Sequence, residues 1–339
     1  VIDMKSSLLV RTLTAVFSVS FAFAGSSIVT TLSGPRLGLV FDRAAGGLRP
    51  ISGIPGAATT GEPLALGLTI SRAEISPAQD AALVVNARNS SVVLIRASGS
   101  DWVAASLDGA QPAPDSMAFS PGGSAAALYY GTGRVQILTG LPAAPSTPAE
   151  IDVSSLPAPV TAMAVDDTGS FLLMAAGQAE SVSLYRVPVG SAPVLLGSFR
   201  SVSSVRLFNA GQQALVTDTL AATVYQVTGL TGAGVTQVVA SASDGIQGLV
   251  AADTDSAGQR VFVADGSGTV FIFDRSGGPA TTIACACVPT GLFRLAGAAT
   301  FRLTEPAGGP LQVLDANSAP RIVAVPPPAQ AAALPEVRR

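Results

Sequence analysis

The stretch "VFVADGSGTVFIFDRSGG", Val261–Gly278, decides how the rest of the chain is read. Apolar residues alternate in Val261–Val263, a Gly-rich turn follows, and alternation resumes through "TVFIF" from Thr269. Period-2 alternation around a Gly/Ser/Asp turn is hairpin chemistry, because successive side chains of a strand point to opposite faces. Gly supplies the positive φ that tight hairpin turns require.

The second half of this hairpin recurs. "SVVLI" starts at Ser91, "RVQIL" at Arg134, "SVSLY" at Ser181, "TVYQV" at Thr223 and "PLQVL" at Pro310. Their second residues, Val92, Val135, Val182, Val224, Val270 and Leu311, step by 43, 47, 42, 46 and 41. "LGLVFD" from Leu37 is a weaker seventh copy, with Asp42 matching Asp274. A second marker keeps the same step: "ISPAQDAALVV" from Ile75, "FSPGGSAAALYY" from Phe119, "VDDTGSFLLMA" from Val165 and "FNAGQQALVT" from Phe208. Each joins a short strand to a longer one through a polar turn.

Each unit therefore predicts four strands. In the sixth unit they are "GLVAA", "RVFVA", "TVFIF" and "TTIACAC". A period near 44 with four strands per unit is the signature of propeller blades. The fold class is all-β, a β-propeller. Seven blades are expected, the first incomplete, with "LGLVFD" and "LRPIS" as its outer two strands. Six blades plus an accessory hairpin is the alternative. The last unit holds its own four strands, and "GIPGAATTGEPLALGL" (53–68) reads as a long connection.

The segments "VFVADGSGTVFIFDRSGG" and "FSPGGSAAALYYGTGRVQIL" resemble the repeats of YVTN-type, WD40-like β-propellers. The resemblance covers roughly residues 66–325 as a repeat pattern. It lacks the Tyr-Val-Thr-Asn tetrad itself, "QALVTD" being its nearest approach. It implies an exported or surface propeller used for binding, and it brings no catalytic residues.

The flanks differ from the repeats. "MKSSLLVRTLTAVFSVSFAFAG" combines Lys5 and Arg11, an uncharged stretch from Leu13 to Ala24, and "AFA" at 22–24. That is the pattern of a secretory signal, so residues 1–24 are expected to be removed and the protein exported to periplasm, surface or medium. The apolar stretch is short for a membrane span, and Gly, Pro or charge breaks every later one. The propeller is then expected over 25–325. The Pro-rich end, 326–339, predicts an extended or disordered tail.

Composition removes several functions. The 339 residues include 48% apolar and 12% charged residues, and no histidine. A Ser-His-Asp triad, a Cys-His pair and a His-ligated zinc site are therefore impossible within this chain. A net charge of −3 without a basic block argues against nucleic acid. "DTDSAG" (253–258) superficially resembles a calcium loop but lacks the distal Glu, and Asx-turn chemistry accounts for it, so no metal or other cofactor is expected. Cys285 and Cys287, the only two cysteines, would lie at the far edge of disulfide reach on a straight strand. They read as small buried apolar side chains that could oxidise if the strand bends.

Inner strands of a propeller line its channel, and here they are mostly small or apolar. Arg72, Glu74, Arg206 and Arg294 are the exceptions. They are candidates for holding a polar ligand at the channel mouth. The alternative is Arg–carboxylate pairs that satisfy each other between blades. The expected function is a non-catalytic binding or scaffold module for a protein or small polar ligand. The runner-up is a hydrolase of lactonase or sugar-acid type that uses carboxylates and a divalent cation.

Overall fold

A computed structural model describes residues 34–306 and 309–327; the expected signal segment, 1–24, and nearly all of the tail lie outside them. Seven antiparallel sheets follow one another along the chain. Blade 1 has three strands, Arg36–Asp42, Gly47–Ser52 and Thr59–Thr60. Blades 2 to 7 have four each, and in sequence order their inner strands are Ile70–Ile75, Ser116–Phe119, Val160–Val165, Val202–Phe208, Leu249–Thr254 and Phe293–Arg294. The third strands start at or one residue before the repeated Val or Leu, and Val92, Val135, Val182, Val224, Val270 and Leu311 are all buried. A three-residue 3-10 turn, Ala242–Asp244, is the only helical element among the described residues.

Apolar alternation explains why the sheets pack. A strand with apolar residues on both faces must cover both, and flat sheets standing face to face around an axis do so. Seven apolar clusters form, one at each contact between neighbouring blades. The opening hairpin shows the rule. Val270 and Ile272 join Phe301 and Leu314 of blade 7, whereas Phe271 and Phe273 join Leu215 and Val224 of blade 5. The four are exposed by 0%, 5%, 6% and 8%, so neither face is wet.

Blade 1 corrects the expected strand order. "LGLVFD" is the inner strand, not the third. It carries a bulge between Arg36 and Gly38 at the position where the inner strands of blades 2, 4, 5 and 6 carry theirs. Leu39 and Phe41 face the channel. Alternation alone does not separate an inner strand from a third strand; the bulge and the following turn do. Among the described residues the strand missing from blade 1 is therefore an outer one. Its third strand is supplied by Thr59–Thr60, inside the stretch read as a plain connection, through the pairs Ile51↔Thr60 and Ser52↔Thr59. Two residues are too few to show a period.

The ring closes at two radii. On the outside, Thr60 donates from N and Oγ1 to the carbonyl of Pro326, at 3.1 and 2.9 Å. On the inside, Gln79 joins three blades. Its Oε1 accepts from Leu39 N at 2.8 Å, and its Nε2 donates to the Arg294 carbonyl at 2.6 Å. Gln79 is the left-handed residue of its turn, at φ 60°. Blades 3 to 6 place Gly123, Gly169, Gly211 and Gly258 there, at φ 76°, 67°, 76° and 65°. Glycine is the unstrained choice at such a position. The side-chain amide is what this one turn gains in exchange.

The cysteines also depart from the expectation. The last strand of blade 6 is Thr281–Ala284, shorter than "TTIACAC". The chain bends after it, bringing the Cα atoms of Cys285 and Cys287 to 5.0 Å, and the two form a disulfide. Cys285 N donates to the Gly268 carbonyl at 2.7 Å, which holds the bend.

Candidate functional site

The inner strands turn at the same end of the channel, and their turns surround its wider mouth. In five blades the residue after the inner strand donates from N to the carbonyl five residues on: Ser76 to Ala81, Ser120 to Ala125, Asp166 to Phe171, Asp255 to Arg260 and Leu295 to Thr300. The register pairs Asp42↔Gly47 and Phe208↔Gln213 place blades 1 and 5 on the same scheme. Counting back two residues gives seven equivalent positions, one per inner strand: Val40, Glu74, Ala118, Ala164, Arg206, Asp253 and Phe293.

A cavity of about 780 Å³ opens above this tier, and a smaller one of about 170 Å³ lies beyond it. Glu74, Ala118 and Arg206 line both, so this tier is the waist of the channel. Phe41, Phe119, Phe208 and Phe293 give the mouth apolar walls.

Most charges lining the mouth are already engaged. Arg294 Nη2 lies 2.9 Å from Asp253 Oδ1 and also donates to the Thr254 carbonyl. Asp255 holds Arg260 at 3.1 Å and accepts from Gln259 N at 2.7 Å. Arg302, buried, pairs with Glu305 at 2.9 Å and stacks on Phe293 with 3.9 Å to the ring centre. Asp167 accepts from Gly122 N at 2.6 Å.

Two groups at the waist differ. Among the described residues neither the Glu74 carboxylate nor the Arg206 guanidinium has a hydrogen-bond partner or an ion pair within 4 Å. They stand on blades 2 and 5, with Ala118 and Ala164 at the two positions between them. Glu74 presents part of its surface to the channel void but is enclosed by protein all round. Burial pushes its carboxyl up to about 7, against the pull of Arg206 in the opposite direction.

The four residues singled out by sequence thus separate. Glu74 and Arg206 come together at the waist. Arg294 lines the mouth but is tied to Asp253, the inter-blade pairing weighed as the alternative. Arg72 does not line either cavity; it donates to the carbonyls of Pro114, at 2.7 Å, and Asp115. The aspartates of "DTDSAG" serve Arg294, Arg260 and backbone amides, and no group of three potential metal ligands converges among the described residues. Sequence reading missed Gln79 and the aromatic rim. Aligning the five turns would have exposed Gln79 as the one non-glycine at its position.

No protein-family model matches the chain, and no curated protein matches it in sequence. Solved structures do match in fold. One is a functionally unknown protein from Desulfotomaculum acetoxidans, with TM-score 0.63 and 12% identity, covering 86% of this chain and 100% of that one. Another is a protein from Lactobacillus plantarum, with TM-score 0.57 and 14% identity, over 86% of this chain and 96% of that one. A third is hydrazine synthase of Kuenenia stuttgartiensis, with TM-score 0.52 and 10% identity, over 91% and 99%. At such identities the likeness is one of fold alone.

Proposed function

We propose that this chain is an exported, non-catalytic binding propeller of YVTN-like repeat type whose ligand is a small polar molecule held in the channel. The observation that carries the reading is the waist: an unpartnered carboxylate and an unpartnered guanidinium, both facing a cavity of about 780 Å³. That volume is of the size that small-molecule sites use. Glu74 is half-buried and Arg206 is exposed to the channel, and among the described residues no protein group meets either charge, so both are available to a ligand.

The other mouth carboxylates support binding over lactonase-type hydrolysis. Asp253, Asp255 and Glu305 are each committed to an arginine and Asp167 to the Gly122 amide, so among the described residues no second free carboxylate stands beside Glu74 for a divalent cation. Export rests on the charge, apolar stretch and "AFA" site of residues 4–24. N-terminal sequencing of the native protein is expected to begin near Gly25, and an intact Met4 on cytosolic protein contradicts export.

Native mass spectrometry of the purified protein, equilibrated with a small-molecule extract of its source cells, tests the binding reading. A retained small molecule that Arg206→Ala releases is the expected result. A retained molecule indifferent to Glu74→Gln and Arg206→Ala contradicts the assignment to the channel.

A further inference from the structure

We infer that the channel waist is a receptor for a small zwitterion, an ammonium and a carboxylate on one molecule, seated between Glu74 and Arg206. The inference rests on the channel-binding reading and names its ligand. Glu74 and Arg206 are opposite in charge, share both cavities and do not touch. Blades 2 and 5 hold them apart, so the pair cannot collapse onto itself without breaking the ring. Ala118 and Ala164 occupy the intervening positions of the same tier, and their small side chains leave that space open.

A ligand must satisfy both charges or leave one of them worse off. A simple anion on Arg206 would displace channel water from Glu74 and give it nothing in return. A simple cation on Glu74 would do the same to Arg206. A ligand with one charge makes one of the two charge-assisted contacts and forgoes the other. A zwitterion completes both pairs and keeps the site neutral. Other groups nearby do not compete: Asp253 is held by Arg294, Asp167 by the Gly122 amide, and the Ser204 hydroxyl by Thr217 Oγ1 at 2.9 Å. Arg43, exposed at the mouth, lines the wide cavity without an ion pair among the described residues.

The enclosure of Glu74 adds a pH dependence. Only its ionised form pairs with an ammonium, and its carboxyl titrates at about 7 in the empty channel. Affinity for a zwitterion therefore falls as the pH drops below about 7; the arginines that share the cavity with Glu74 are Arg206, Arg294, Arg43 and Arg302.

Isothermal titration with glycine, β-alanine, γ-aminobutyrate and 5-aminopentanoate, set against butyrate and butylamine, tests the inference. At least one amino acid is expected to bind about tenfold or more tightly than both single-charge controls, the order of one charge-assisted contact. Glu74→Gln and Arg206→Gln are each expected to abolish that advantage while circular dichroism remains that of the unsubstituted protein. Butyrate or butylamine binding as tightly as every amino acid overturns the zwitterion and leaves channel binding standing. Silence of the whole panel also overturns it, and the cell-extract experiment then decides separately whether the channel binds anything.

Discussion

Blade 6 and blade 1 meet their neighbours in different ways. Blade 6 is a regular four-stranded sheet whose first turn uses Gly258 and whose two faces are covered by hydrocarbon, including Phe262 against Phe301 with ring centres 5.0 Å apart. Blade 1 has three strands among the described residues. It packs against blades 2 and 7 through apolar clusters, and the Gln79 amide of blade 2 accepts from Leu39 N and donates to the Arg294 carbonyl of blade 7, while Thr60 donates to the Pro326 carbonyl. The difference shows where a repeat protein can rely on its pattern. Between regular blades, alternation of apolar residues supplies the packing, and single polar contacts such as Arg294–Asp253 and Gly122–Asp167 are added to it. At the join between first and last units the apolar packing continues, and Gln79 and Thr60 add contacts that span the join.

The regular side is the larger source of stability. Phe271→Ala and Ile272→Ala remove buried side chains from opposite faces of one strand, and each is expected to cost about 2–5 kcal/mol in chemical denaturation. If one of the two costs almost nothing, that face of blade 6 is wet and the ring is not closed as described.

The join responds to smaller changes. A Cβ at position 38 would lie 2.6 Å from Gln79 Oε1 and 2.9 Å from Leu295 Cδ2. Gly38→Ala is therefore expected to destabilise by about 1–3 kcal/mol, the usual range for overpacking. Gln79→Gly sharpens the comparison further. It relieves a left-handed non-glycine, worth about 1 kcal/mol. It also leaves the Leu39 N–H buried without an acceptor, which costs about 1–3 kcal/mol. A net loss near 1 kcal/mol is expected from the difference of these two, whereas the same measurement on Gly123→Gln in a regular blade yields strain with no compensating bonds.

Much of this was legible in the residues. The six repeated third strands gave the period and the fold class, because the Val or Leu at their second position recurs every 41–47 residues; the seventh blade was counted from "LGLVFD", which is an inner strand. Blade 1 was read in the wrong order because "LGLVFD" alternates as well as any third strand does, and its bulge leaves no mark on the hydrophobic pattern. Glu74 and Arg206 stood out because the inner strands are otherwise mostly small or apolar. The commitment of Arg294 did not, since its partner Asp253 lies 41 residues earlier, one full repeat away. Contacts between blades join residues that no local window contains. The disulfide depended on a chain bend after Ala284 that strand spacing could not foretell.

The waist produces a stability effect of similar size to the join, and the most specific one, because it depends on pH. The folded-state pKa of Glu74 is raised, so ionising it opposes folding. Stability is full below the usual carboxylate range and declines as the pH rises to about 7. Glu74→Gln removes that decline. It is expected to stabilise the protein by about 1–2 kcal/mol above pH 7, after allowance for screening by channel water, and by nothing near pH 4. Thermal unfolding of both proteins at pH 4 and pH 8 checks the sign.

The account stands on seven blades closing around a channel that encloses Glu74. Carbon-13 carboxyl NMR of the glutamate-labelled protein measures this directly, with Glu74→Gln identifying the resonance. That resonance is predicted to titrate with a midpoint of about 7 in the absence of ligand. A midpoint at the ordinary glutamate value of about 4.3 would mean that Glu74 faces bulk water, and would contradict the enclosed waist.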